Sequence, residues 1–196
     1  MSAKEKLKQY IDKRNLNRSG EPSDSDGAGN GGNRFVIQKH DASNLHYDLR
    51  LEVDGVLKSW AVPKGPSTDP SERRLAIRTE DHPTEYANFE GVIPEDEYGG
   101  GTLLVWDTGE FKNLRAEKDE PLTMEESLDD GLLEVWLEGE KLQGGYAMKR
   151  TRKSQWLLIK MKDDAADARR NPVSTEPDSV LSGRSLADIM QEADKE

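Results

Sequence analysis

The chain reads as all-β, a small closed barrel of about eight strands with few short helices and flexible termini. Short apolar or alternating segments recur through its middle, turn-forming residues separate them, and no long stretch carries the 3.6-residue apolar repeat of a helix. Closure is expected because it removes exposed sheet edges and leaves an interior able to hold a small site.

The first 18 residues open with helical spacing of Leu7, Tyr10 and Ile11 and end in the basic run KRNLNR. RSGEPSDSDGAGNGGN follows, and its Gly, Ser and Asp content predicts a flexible linker. Strands are then expected at RFVIQ, HYDLRLEV, VLKSWAV, RLAIRT, TLLVWD, LLEVWL, GYAMKR and QWLLIK. Turns are marked by Asp54-Gly55, Pro63-Lys64-Gly65-Pro66, Gly99-Gly100-Gly101 and Gly144-Gly145. The run YGGGT lacks the Lys-Ser/Thr pair of a phosphate-binding loop and precedes a strand, so it reads as a turn. Trp60, Trp106, Trp136 and Trp156 lie in apolar strands and read as core. The expected organisation is a flexible segment at 1–33, a barrel at 34–163 and a polar tail at 164–196 with one short helix near Leu186 to Ala193.

At 196 residues the chain has room for one domain with one sizeable core. Hydrophobic residues make up 33% and charged residues 34%, a balance that predicts disordered ends. Cysteine is absent, which excludes disulfides, thiolate nucleophiles and thiolate metal sites, so any metal must be held by nitrogen and oxygen. The sequence MSAKEKLKQY has no signal-peptide apolar run, and no stretch approaches the ~20 apolar residues of a membrane span, so a cytoplasmic protein is expected. A net charge of −11 argues against broad adhesion to nucleic acid, which requires many phosphate neutralisations. Contact with nucleic acid should therefore be local, and Lys141 to Lys162 supplies seven Lys and Arg without an acidic residue.

The chemistry concentrates around the three histidines, His40, His46 and His82. Period two puts His46, Asp48, Arg50 and Glu52 on one strand face and Tyr47, Leu49, Leu51 and Val53 on the other. Same-face neighbours lie roughly 6.5 to 7 Å apart, a spacing from which an imidazole and a carboxylate converge on one ion. His40 can fold back as a third ligand, and two neutral nitrogens with one hard oxygen suit Mn²⁺ or Zn²⁺. Arg50 is suited to a phosphate oxygen beside the metal. His82, at a strand exit before Pro83, reads as a ligand, a phosphate donor or a general acid, with Glu80 and Tyr86 flanking it. Lys64 in its turn reads as an exposed lysine, while Arg74, Ala76 and Arg78 share one side of their strand. Two rival readings use the same residues: a nonheme iron oxygenase built on His46, Asp48 and His82, and a noncatalytic nucleic-acid-binding module built on the basic run.

The runs RFVIQKHDASNLHYDLRLEVDGVLKSWAVPKGPS and RLAIRTEDHPTEYANFEGVIPEDEYGGGTLLVWDTGEF resemble the 3′-phosphoesterase domain of bacterial DNA ligase D and its free-standing relatives. The resemblance covers Arg34 to about Lys162, and KRNLNRSGEP and PDSVLSGRSL resemble the flanks. It implies a small β-barrel monomer that heals the 3′ end of a primer-template DNA or DNA/RNA strand in double-strand break repair by non-homologous end joining, alongside DNA ligase, polymerase and Ku end-joining proteins. A manganese-dependent phosphodiesterase step, for which Co²⁺ or Zn²⁺ are alternatives, would remove a terminal ribonucleoside to leave a 3′-phosphate. A phosphomonoesterase step would then give the 3′-OH. By motif position the resemblance makes His40, His46 and Asp48 the metal ligands. It puts Arg50, Lys64, Arg74 and His82 around the phosphate, with Gln38, Glu80 and Tyr86 in support and Arg14 and Glu21 reaching in from the N-terminal segment. The family often has Asp after the arginine matching Arg14, where this chain has Asn15, which keeps a hydrogen-bonding carbonyl but loses the charge and bears on the efficiency of one of the two steps.

Overall fold

The computed structural model describes residues 2–23 and 32–196; residues 24–31, the centre of the expected linker, lie outside the described residues. Nine strands are present among them: β1 (Arg34–Asp41), β2 (Leu45–Val53), β3 (Val56–Val62), β4 (Arg74–Pro83), β5 (Gly91–Ile93), β6 (Gly101–Asn113), β7 (Leu132–Gly139), β8 (Gln143–Arg152) and β9 (Gln155–Lys160). All pair antiparallel in the order β1-β2-β3-β4-β9-β8-β7-β6, and β1 also pairs with β6, so eight strands close into the expected barrel. The added strand β5 takes the edge of β6 at Leu103–Gly101, ahead of the stretch where β7 pairs from Gly109 onward. Only three residues long and containing a glycine, β5 has too little alternation to be legible in the sequence.

Helices are short: α1 (Ala3–Lys6), α2 (Lys8–Asp12), α3 (Leu16–Ser19), α4 (Met124–Asp130), α5 (Pro172–Thr175) and α6 (Leu186–Ala193), with a 3₁₀ turn at Thr84–Asn88. None of the helices among the described residues is long and apolar enough to cross a membrane. Helix α4 had a sequence signal that strand-counting passes over: Thr123 and Glu126 form a capping box, and Gly131 ends the helix in the left-handed region.

Two packed layers explain where the site can form. Odd-numbered residues of β1 and β2 (Phe35, Ile37, Tyr47, Leu49, Leu51) join Trp60, Trp106, Tyr146 and Trp156 in the main core. Even-numbered residues point the other way, where Val36, Leu103 and Val105 meet Tyr10, Tyr86 and Ile93 in a second cluster. The interior is thus filled rather than left to hold a site, and the polar row of β2 lies, as period two separates it from the core face, on the outer face of the wall. There it is buried beneath α2, the 3₁₀ turn and β5, with Asp48 and Arg50 at 6% and 3% exposure. Trp136, half-buried on β7, is the one tryptophan outside the core.

Both described ends are anchored, although composition alone predicts loose ones. Leu7 and Tyr10 are buried at the N-terminal end. At the other end Ile189 joins the main core, the Trp106 indole donates to the Glu176 carbonyl (2.8 Å), and Thr68 donates to the carbonyls of Asp167 and Arg170. A few such contacts suffice because each buries a large side chain or satisfies a backbone group. The basic run also divides. Lys160 is 1% exposed and donates to the Gly145 and Met161 carbonyls and to Asp163, and Lys141 is buried over the Trp106 ring with its ammonium on the Asp178 carbonyl. Lys149, Arg150, Arg152 and Lys153 remain exposed on the β8–β9 hairpin.

Candidate metal and phosphate site

Strand register assembles the site. His40 and His46 are direct partners across the β1–β2 hairpin, Gln38 faces Asp48, Arg50 faces Ser59, and Leu57 of β3 faces His82 of β4. Four adjacent strands thereby deliver their outward side chains to one patch. Asp48 Oδ2 lies 3.5 Å from His40 Nδ1, 3.2 Å from His46 Nε2 and 3.5 Å from Arg50 Nη2. One ligand atom from each of His40, His46 and Asp48 falls within 4.8 Å of the others, a group able to hold a metal ion. The buried Nε2 of His40 has no hydrogen-bond partner, and an unpaired imidazole nitrogen beside a second imidazole and a carboxylate is what a divalent ion would satisfy.

Electrostatics set the protonation states. Burial alone would raise the Asp48 carboxyl, but the Arg50 charge and the bonds from His40 and His46 outweigh it and hold the group well below the usual carboxylate range. Burial lowers His46, yet its contact with Asp48 prevails and raises it. His82 goes the other way: burial, then the charges of Arg50 and Arg14, push it well below its ordinary value, so it is neutral. Its Nδ1–H is assigned as donor to the Glu80 carbonyl (2.9 Å), which leaves the Nε2 lone pair facing Arg14 Nη2 at 3.4 Å.

The surrounding groups fix the cations. Arg50 donates from Nε to Gln38 Oε1 (2.7 Å) and from Nη1 to Ser59 Oγ (2.9 Å), with its guanidinium over the Tyr86 ring. Gln38 in turn donates to the carbonyls of Tyr86 and Phe89, so one amide ties the arginine to the 3₁₀ turn. Arg14 donates to Glu21 (3.1 Å) and Glu80 (3.0 Å) and lies over Tyr10. Tyr86, which burial and the neighbouring Glu21 raise well above its ordinary value, donates its hydroxyl to Glu21 Oε2 (2.7 Å). Glu21 Oε1 is buried without a partner. Arg14, Glu21, Arg50, Glu80, His82 and Tyr86 line, with the His40, His46 and Asp48 group, a cavity of about 230 Å³, and Gln38 and Ser59 stand behind Arg50.

Nearly all of the sequence-derived residues therefore come together: Arg14, Glu21, Gln38, His40, His46, Asp48, Arg50, Glu80, His82 and Tyr86. Lys64 and Arg74 do not line this cavity. Lys64 is exposed in the turn after β3. Arg74 shares its strand face with Ala76 of the main core, faces Leu158 of β9 and pairs with Glu72 (2.7 Å). His82 stands apart from the metal group, so the triad of His46, Asp48 and His82 that an oxygenase would need is not assembled. Sequence reading missed Tyr10, Ser59, Thr79 and Tyr98. Ser59 lies on the outward period of β3 and was accessible by alternation, whereas the two tyrosines arrive through contacts with no local pattern.

The chain is 46% identical over 198 residues to the multifunctional non-homologous end joining protein LigD of Pseudomonas aeruginosa. It is 44% identical over 162 residues to that of Mycolicibacterium smegmatis, and 48% identical over 132 residues to the Mycobacterium tuberculosis protein. These alignments cover 95%, 81% and 67% of this chain but 22%, 21% and 16% of the relatives, so the chain spans about a fifth of their length. The family model for the DNA ligase D 3′-phosphoesterase domain matches residues 38–150, the stretch that carries the metal group, Arg50 and His82, and the chain belongs to that family.

Proposed function

We propose that the chain is a metal-dependent phosphoesterase that heals nucleic-acid 3′ ends, removing a 3′-terminal ribonucleoside to leave a 3′-phosphate and then removing that phosphate to leave a 3′-OH. The observation that carries the reading is the juxtaposition, in one cavity, of the His40, His46 and Asp48 group with Arg50, Arg14 and a neutral His82. Two imidazoles and an ionised carboxylate fit a divalent ion of the Mn²⁺ type, with Co²⁺ or Zn²⁺ as alternatives. When bound, such an ion supplies Lewis acidity at a phosphate oxygen.

The chain's own residues supply the rest. Arg50, immobilised by Gln38, Ser59 and the Tyr86 ring, presents its remaining donors to the nonbridging oxygens, and needs no reorganisation as charge develops. His82 is neutral while Arg50 and Arg14 face it, and an entering phosphate offsets those charges and favours the protonated ring. Protonated, it donates to a phosphate oxygen or to the leaving oxygen. Glu80 and Glu21 hold Arg14 in place from either side. The names of the relatives support a setting in non-homologous end joining.

The test is a labelled primer-template with one 3′-ribonucleotide, incubated with the protein and Mn²⁺ and resolved by end group. A 3′-phosphate product followed by a 3′-OH product is expected. An unchanged substrate under anaerobic and aerobic conditions alike overturns the proposal.

A further inference from the structure

Among the described residues the site cavity adjoins two further openings. On one side it shares Ala42 and Gly99 with a depression of about 430 Å³ whose lining is glycine-rich and carries two carboxylates, Asp41 and Glu95, and no cation. On the other it shares Thr79, Glu80 and Tyr98 with a groove of about 800 Å³, which runs between the N-terminal helices and the turn of the β8–β9 hairpin. Of these two mouths, the first repels the phosphates of a strand whose 3′ end sits in the site, through Asp41 and Glu95.

The groove contains acidic residues too, but they are engaged. Glu80 pairs with Lys13 and Arg14, Asp81 with Lys58 (2.9 Å) and Glu125 with Lys6 (3.6 Å), while Glu5 caps its own helix. Arg78 and Lys153 also line the groove, and neither has a carboxylate partner among the described residues. Lys153 lies at the hairpin turn that Lys149, Arg150 and Arg152 flank, all exposed and likewise without a carboxylate partner among the described residues. On a chain of net charge −11 this is a local concentration of positive charge next to a mouth of the site.

We infer that the groove holds the sugar-phosphate backbone of the strand 5′ of the end being processed, with Arg78 and Lys153 against its phosphates. The inference rests on the reading of the site as one for nucleic-acid 3′ ends. Specificity for sequence is not needed, since phosphate contacts position a strand without reading it.

The experiment is equilibrium binding of a fluorescent primer-template bearing a 3′-phosphate, without metal, over a salt series. It compares the wild type, Arg78→Gln, Lys153→Gln, the double variant and Lys112→Ala, which removes an exposed lysine that lines neither cavity. Each groove substitution is expected to lower the slope of log affinity against log salt by about 0.7 to 0.9, and the double variant by roughly twice that, with Lys112→Ala unchanged. Slopes that stay at the wild-type value in both groove variants overturn the inference, as does an equal drop in Lys112→Ala, which would mean diffuse attraction. Because Lys153 is exposed, its variant remains interpretable even where Arg78→Gln folds poorly. Turnover with Mn²⁺ is read separately: a wild type that binds with the expected slopes yet cleaves nothing supports the groove and overturns the reading of the site.

Discussion

Asp48 and His82 are both buried beside Arg50, with opposite results for charge: the guanidinium outweighs burial to keep the carboxylate charged, and adds to the burial that keeps the imidazole uncharged. Two consequences follow at the scale of single residues. His46→Ala removes one of the three candidate ligands from a side chain that is 22% exposed, so the fold should tolerate it while metal-dependent turnover falls by at least about 100-fold. Mn²⁺ titration alongside end-group analysis checks this, and full activity in the variant would refute the assignment. The second concerns stability in acid. His82 has a folded value well below its ordinary 6.5, so between the two values the unfolded chain binds the extra proton and the folded one does not. Its contribution is therefore complete above 6.5 and is lost as pH falls below it. Asp48, lowered from 3.8, adds a loss at more acid pH in the same sense. Denaturant unfolding of the metal-free protein should show stability declining below about pH 6.5, and His82→Gln should flatten that limb. An unaltered limb in the variant would assign the decline to other groups.

At the scale of elements, the site is a β-hairpin with a cover. The cover is held by Arg14, whose side chain is 5% exposed and lies between Glu21 and Glu80. Arg14→Ala leaves two buried carboxylates without their shared cation, a loss of about 3 to 5 kcal/mol where the pair cannot relax. The described N-terminal segment carries only a few buried residues, Leu7, Tyr10, Ser19 and Glu21, so the expected outcome is local release before global unfolding. Limited proteolysis should cut within residues 2–23 while the barrel persists, and protease resistance equal to wild type would contradict it. This division also explains what could be read from sequence. The eight barrel strands show in alternation or apolar runs, and His40, His46, Asp48 and Arg50 show because one hairpin carries them. Lys64 and Arg74 fit a phosphate clamp by residue type, but nothing in the sequence says that Arg74 belongs to the core-side face of β4. The bonds from Tyr86 to Glu21 and from Arg14 to Glu80 span 65 and 66 residues, and no periodicity encodes a contact of that separation.

At the scale of the molecule, the family match ends at residue 150, whereas the barrel continues through β9 and the polar segment behind it. If that segment were a detached tail, truncating it would cost nothing. Its contacts argue otherwise. Ile189 is 2% exposed in the main core, the Trp106 indole donates to Glu176, and Val180 donates its backbone N–H to Val105 of β6. Glu90, ahead of β5, receives bonds from the Val105 backbone, Ser182 and Arg184, so the same segment also braces the strand that helps cover the site. Exposing Ile189's pocket costs about 1.5 to 3 kcal/mol, and an unpaired buried indole about 1 to 3 more. For a domain of this size each kcal/mol moves the midpoint by roughly 2 to 4 °C. A chain ending at residue 164 is therefore expected to melt on the order of 10 °C lower than the full chain, with the decrease measurable by calorimetry. Single substitutions apportion it: Ile189→Ala should reproduce part of the loss through the core, and Arg184→Ala, on a partly exposed side chain, much less. Equal melting of the truncated and full-length chains would mean that the barrel holds its two layers together without the segment laid against it.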